Sequence, residues 1–466
     1  MDRASDSTTP AQSASSPATF DRFALGLVGL LALLALLMAW RGDQAGVPIE
    51  VLSPADGALD VSVEAVIRIE FGQAMPPDPT VQLQSEPAIE GDIRWRGRTL
   101  ELWPDTPLQA DTEYTLSLPS GLSSESGREV RPVEWRFRTG RPKILFLGWD
   151  EADVAQIFLA SQDGNDTRQL TTEARDVLNF AVSPDGGAII YSALRPDGSN
   201  GADLWLLDAD GDNRRRLLAC EGASCERPAW SPAGDRLAYE RRRFSDEQQS
   251  LGPSRLWWLD PNSGQTVPVF EDSQWLGLGA RFSPDGKWLS YVAPLEEEVQ
   301  AFHLSSGELV RINSRTGEAP TWTPDNQAML VTDLDFFGEQ FAVRIYQVDL
   351  ETARGENLSG QHNTNDASAI FSPDGEWIAF NRKLSQAPMG RQLYLMRPDG
   401  SDLTQLTNNV EVHHGPPAWS PDGNTLLFQM YRLAEVGAEP GIWTLDIDSG
   451  QLTQISNRGI SPAWLP

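Results

Sequence analysis

The sequence predicts an all-β chain in which a β-sandwich is followed by a seven-bladed β-propeller closed by the C-terminal strand, with one N-terminal transmembrane helix ahead of both. Three observations lead there. A Ser-Pro-Asp-Gly turn between short apolar strands recurs through the C-terminal two thirds, at the period of a propeller blade. Glycine (39 residues), proline (33) and tryptophan (16) are frequent, which favours turn-rich sheet over helical bundles. A run without charge, 23–40, precedes everything that alternates.

Residues 1–22, rich in Ser, Thr, Ala and Pro, carry too little apolar content to fold and read as a disordered tail. From Phe23 to Trp40 a helix would span about 27 Å, near the thickness of a bilayer's hydrocarbon core. The run is longer than the apolar part of a usual signal peptide, no A-x-A site follows, and no Cys stands where a lipoprotein needs one. An uncleaved signal-anchor is therefore expected, with 41–46 as linker. Arg22 and Arg41 balance across the run, so charge does not orient it. Cys220 and Cys225 do: their spacing can close a small disulfide loop, which persists only in an oxidising compartment. Free thiols are the plain alternative, and zinc is disfavoured because no second Cys or His pair accompanies them. The expected location is the cell membrane, single-pass, with everything after Arg41 outside the cytoplasm. The formal net charge of −29 argues against nucleic acid as a partner.

Between 47 and 140, apolar and polar residues alternate in short runs such as Ile67-Arg68-Ile69-Glu70-Phe71 and Thr99-Leu100-Glu101-Leu102-Trp103. Turn clusters at Pro54-Ala55-Asp56-Gly57, Pro76-Pro77-Asp78-Pro79 and Ser126-Gly127 divide them, as in a β-sandwich. The stretch Ser53 to Gly57, then Ala74-Met75, Leu100 to Pro104, Thr112 to Leu116 and Trp135 to Thr139, resembles the bacterial Ig-like domain of the SbsA type. That resemblance implies a spacer or adhesion module.

From 141 to 466 the period lengthens. In Pro417-Ala418-Trp419-Ser420-Pro421-Asp422-Gly423 each residue has a turn or packing reason. Trp419 ends a strand, Pro421 presets φ, Asp422 suits the next corner and Gly423 takes a positive φ. Copies centre on Ser183, Ser231, Ser283, Thr323 and Ser372, spaced 40 to 52 residues. Asn326 replaces one Gly, and Ala233 one Asp. Each core begins a four-stranded unit whose third-to-fourth connection is another Gly turn: Asp210-Gly211, Ser263-Gly264, Ser306-Gly307, Asp399-Gly400 and Ser449-Gly450. Lys143 to Leu147, Gln156 to Leu159 and Arg168 to Thr171 supply three strands without a first; Ile460 to Leu465 is a first strand without successors. Joined, they make the seventh blade and close the ring. The repeated cores, with Leu403-Thr404-Gln405-Leu406-Thr407 as a fourth strand, resemble the TolB-type β-propeller repeat. This implies the fold, and for TolB itself a six-bladed propeller that binds proteins.

Candidate chemistry is sparse. Asp208-Ala209-Asp210-Gly211-Asp212-Asn213 opens like a calcium loop, but Ala219 stands where a bidentate Glu is needed, so a hairpin turn is expected. His362, His413 and His414 precede successive cores and should share one face of the disc, where some polysaccharide lyases with TolB-like propellers resemble this arrangement in placing a His-bound metal. They are the candidate metal ligands. Prolyl oligopeptidase-type peptidases also carry such propellers, but no G-x-S-x-G occurs. Asp333-Leu334-Asp335-Phe336-Phe337 and Arg241-Arg242-Arg243-Phe244 could line a binding mouth. No catalytic set emerges and no cofactor is expected. The reading is a non-enzyme, a membrane-anchored scaffold whose propeller recognises a protein or cell-envelope glycan. Its alternative is a metal-dependent carbohydrate-active enzyme.

Overall fold

The computed structural model describes residues 27–28, 30–33, 46–76, 81, 83–245, 247–272, 274–338, 340–360, 364–384, 390–433, 435 and 437–466. Most of the expected anchor, 23–40, lies outside the described residues; 27–28 and 30–33 are helical and exposed. Among the described residues no helix is long and apolar enough to cross a membrane.

The N-terminal sandwich has two four-stranded sheets. One runs Ile49–Ser53, Ile67–Phe71, Thr99–Pro104, Gly91–Arg96, and the other Ala58–Val61, Val133–Thr139, Glu113–Leu118, Gln84–Glu86. Sequence alternation becomes burial alternation directly: Ile67, Ile69 and Phe71 are buried while Arg68 and Glu70 are only half-buried. They meet Leu116, Trp135 and Phe137 from the facing sheet in one apolar core.

Lys143 to Leu465 forms seven antiparallel sheets. The second to the seventh open with the first strands Val177–Val182, Ala223–Trp230, Leu278–Phe282, Thr321–Trp322, Thr364–Phe371 and, in two pieces, Val412–His414 and Ala418–Trp419. The first sheet takes its first strand from the far end of the chain. Ile460–Leu465 pairs antiparallel with Lys143–Trp149, with Trp464 opposite Ile144. An apolar cluster joins each sheet to the next, and Ile144, Phe146 and Trp464 pack with Leu427, Ile442 and Ile455 to join the seventh to the first.

Inside each repeated turn the Ser or Thr hydroxyl donates to the Asp carboxylate, at 2.7 Å for Ser183–Asp185 and 2.5 Å for Ser420–Asp422. The same Asp accepts the backbone N–H two residues on. Where Ala233 removes the Asp, the hydroxyl of Ser231 donates instead to Asp235 at 2.7 Å. The tryptophans before the turns do more than fill space. The indole N–H of Trp230, Trp419 and Trp464 donates to a first-strand carbonyl of the preceding sheet, that of Ala181, Ile370 and Ala418, at 3.2–3.4 Å. Trp322 donates to Ser290 Oγ at 3.0 Å.

A second set of links lies on β-bulges. Arg227, Gly279, Ser368 and Ser461 have φ between 49° and 65°, each within a register break of its first strand. The N–H freed by each bulge donates to a polar side chain of the preceding sheet or the turn leading into it: Asn179, Glu240, Glu318 and Gln429, at 2.7, 2.8, 2.7 and 3.1 Å.

Antiparallel meanders put the first-to-second and third-to-fourth turns on one face, and the other connections on the opposite face. The sandwich sits on the first of these. Arg68 Nη1 meets Asp185 Oδ2 at 3.2 Å, Asp60 pairs with Lys143, and a Cβ on Gly186 would come within 2.8 Å of Ser62 Oγ.

Candidate functional site

Two of the four bulges, those at Arg227 and Ser368, line a cavity of about 520 Å³. Its walls come from five consecutive sheets: Arg227 from the third, Arg281 from the fourth, Glu318 and Thr321 from the approach to and start of the fifth, Ser368 from the sixth, and Pro416 and Pro417 from the seventh. Glu318 is held in place, its carboxylate accepting from Ser368 N at 2.7 Å and Thr332 Oγ1 at 3.0 Å. Glu240, buried behind Arg227, accepts from Gly279 N and from Ser254 Oγ at 3.0 Å, with the Arg227 guanidinium 3.6 Å away. Both carboxylates are thus occupied with structure. Arg281 donates to Thr321 Oγ1 at 3.3 Å. It is accessible yet enclosed by protein, as a group facing an internal cavity is; burial pulls its pKa down and Glu318 opposes that. Two guanidiniums on neighbouring sheets can grip a carboxylate or a peptide carbonyl.

The histidines behave differently. His414 is buried, packs against Phe428 at 5.4 Å between centroids, and directs Nδ1 at the carbonyl of Arg391 at 2.9 Å. Burial holds its pKa down at about 4, so the ring is neutral. His413 is half-buried, and its pKa is lowered by burial, then by Arg391 and Lys383. Those two cations also oppose a bound metal ion. His362 lies outside the described residues. Among the described residues no group of three or more His, Cys, Asp and Glu side chains is placed to hold a metal. The acidic loop after Asp208 is a turn: Gly211 N donates to the Asp208 carbonyl at 2.8 Å and Asn213 Nδ2 to the Asp208 carboxylate at 2.6 Å. Cys220 and Cys225 are disulfide-bonded, with Cα atoms 6.1 Å apart, at the start of the third sheet.

Sequence reasoning overlooked Arg281, although a signal existed. The position two before the Ser or Thr is Ala181, Ala229, Thr321, Ile370 and Ala418 in the other copies, so a guanidinium there departs from the packing pattern.

Residues 43–139 match the family model of the bacterial Ig-like domain. The N-terminal domain is a bacterial Ig-like domain. The rest of the chain has a β-propeller fold. An oligogalacturonate lyase from Vibrio parahaemolyticus aligns with TM-score 0.51 and 17% identity over 66% of this chain and 87% of its own. A Mycobacterium tuberculosis puromycin-hydrolyzing peptidase aligns with TM-score 0.52 and 14% identity over 76% and 53%. TolB from Acinetobacter baumannii aligns at TM-score 0.43 and 16% identity, over 77% and 80%. Among curated sequences, the uncharacterized peptidase YuxL of Bacillus subtilis is 25% identical over 209 residues, 43% of this chain and 28% of the relative. Dipeptidyl-peptidase 5 of Porphyromonas gingivalis is 21% identical over 352 residues, 62% of this chain and 49% of the relative. The chain thus spans less than half the length of these two relatives. Both are named as peptidases, which overturns the expectation of a non-enzyme, at 25% and 21% identity. A missing G-x-S-x-G and the lack of a catalytic constellation in the sequence do not bear on kinship.

Proposed function

We propose that the propeller is a polypeptide-recognition module of the kind peptidases carry, a closed ring of seven blades held outside the cytoplasm by a membrane anchor at 23–40. The observation that carries this reading is that Arg227 and Arg281 both line the cavity inside the ring, where Glu318 is held by the Ser368 N–H and Glu240, behind Arg227, by the Gly279 N–H. A ligand carbonyl or carboxylate is the complement of two such guanidiniums. Two further facts support it. The relatives' names, peptidase and dipeptidyl-peptidase, point to peptide chains as what such proteins handle. The Ig-like domain occupies the face of the Ser-Pro-Asp-Gly turns and leaves the other face open. The test is selection of peptides from a random library on the full chain, followed by affinity measurement with Arg281→Ala and Arg227→Ala. Each substitution should weaken binding about tenfold or more, the scale of a lost charge-assisted hydrogen bond. Unchanged affinity in both variants would contradict the assignment.

A further inference from the structure

The face away from the Ig-like domain carries a second concavity, separate from the ring cavity. The second and third strands of the fifth sheet, Ala328–Phe337 and Gln340–Asp349, form a hairpin longer than its counterparts. Its end exposes Phe336, Phe337 and Phe341 at 56%, 49% and 58%. One side of this hairpin and the sixth and seventh sheets enclose a groove of about 490 Å³. Phe341, Val343 and Leu433 supply apolar wall; Asn365, which accepts from Val343 N at 2.9 Å, ties the hairpin to the sixth sheet. The remaining side chains are Lys383, Arg391 and His413.

The charge pattern here is unlike that of the rest of the molecule. The chain has 66 acidic against 37 basic residues, yet none of the groove's described lining residues is acidic. Among the described residues neither Lys383 nor Arg391 forms an ion pair, and Arg391 Nη1 is buried without a hydrogen-bond partner. A buried guanidinium nitrogen left unpaired is costly and gains most from an anionic acceptor. Two arginines nearby show the contrast: Arg315 grips Asp333 with two bonds of 2.9 and 2.7 Å, and Arg382 is paired with Asp366 at 2.7 Å.

We propose that this groove is the docking site for an acidic segment of a partner polypeptide, with carboxylates on Lys383 and Arg391 and an apolar side chain between Phe341 and Leu433. The inference rests on the polypeptide-recognition reading and names the chemical class of segment that this face takes. Charge complementarity also makes it sensitive to salt, because the groove is open to solvent.

The test uses the full chain and short fluorescent peptides in which Glu, Gln or Lys alternates with Phe, with a galacturonate oligomer as the glycan arm. The Glu peptide should bind, the Gln peptide about tenfold more weakly, and the Lys peptide not measurably. Binding of the Glu peptide should weaken as salt rises, a readout that needs no variant. Lys383→Glu and Arg391→Gln should each remove most of the preference for Glu over Gln. Equal binding of the Glu and Gln peptides would overturn the acidic assignment while leaving peptide recognition standing. Binding of the galacturonate oligomer alone, or of no probe, would overturn the groove's assignment, whereas peptide recognition in the ring falls only if the library selection on the full chain yields no binder.

Discussion

At the scale of single residues, the molecule puts ionisable groups to two kinds of use. Asp185 shows the first: it caps its own turn through Ser183 and Gly187 and receives Arg68 from the Ig-like domain, which together hold its pKa below the ordinary carboxylate value against the opposing effect of burial. His414 and Glu64 show the second, in which desolvation by the surrounding protein dominates. The His414 ring stays neutral down to about pH 4, whereas the unfolded chain takes up a proton near 6.5. The unfolded state therefore binds more protons between those values, and stability falls as pH drops through that window, by about 3 kcal/mol in all. His414→Asn, which keeps a donor for the Arg391 carbonyl, should flatten that part of the pH profile in denaturant titrations; an unchanged slope would show that His414 does not cause it. Glu64 tilts the other way. The residue is accessible to solvent yet crowded by surrounding protein, and that desolvation pushes the carboxyl up from an ordinary 4.5 to about 7, so the folded state holds the extra proton and stability declines as pH rises across that range. Glu64→Gln should accordingly gain stability relative to the native chain above about pH 7 and not below 4.5.

At the scale of elements, the turns were legible in the sequence because their chemistry is local. Ser, Pro, Asp and Gly each act within a few residues of themselves, and even the loss of Asp at Ala233 is repaired nearby by Asp235. The bulges were not legible. Arg227, Ser368 and Ser461 adopt a left-handed backbone without being glycine, and what stabilises each is a side chain some 32 to 50 residues away. Such links have no single periodic position: Glu240 and Gln429 each stand nine residues after the turn Ser or Thr of their repeat, whereas Asn179 and Glu318 stand four and five residues before theirs. The same holds for the cavity, whose guanidiniums are brought together only by the curvature of the ring. A direct consequence concerns Glu240. Glu240→Leu leaves the Gly279 N–H without an acceptor and should cost about 1–3 kcal/mol in equilibrium denaturation, whereas Glu240→Gln keeps the acceptor and should cost clearly less. Equal losses in the two variants would mean that the bulge link is not what Glu240 contributes.

For the whole molecule, the two ends of the propeller are one structural unit: the sheet that opens the array is completed by the strand that ends it, and Trp464 continues the indole-to-carbonyl pattern across the join. Closure of this kind could be anticipated from an orphan strand at one end and an orphan triplet at the other. How the Ig-like domain docks could not, because Asp60, Ser62 and Arg68 carry no motif that points to Gly186 or Asp185. That docking gives the ring two unlike faces. One is covered in part by the Ig-like domain; the other presents the long hairpin of the fifth sheet and the basic groove beside it. The measurement that most directly tests this account is hydrogen–deuterium exchange of the full chain with and without a library-selected peptide. Recognition inside the ring predicts slowed exchange on the first strands around Arg227, Arg281, Thr321 and Ser368, with the Ig-like domain unchanged. Protection confined to the Ig-like domain or to the Ser-Pro-Asp-Gly turns would contradict it.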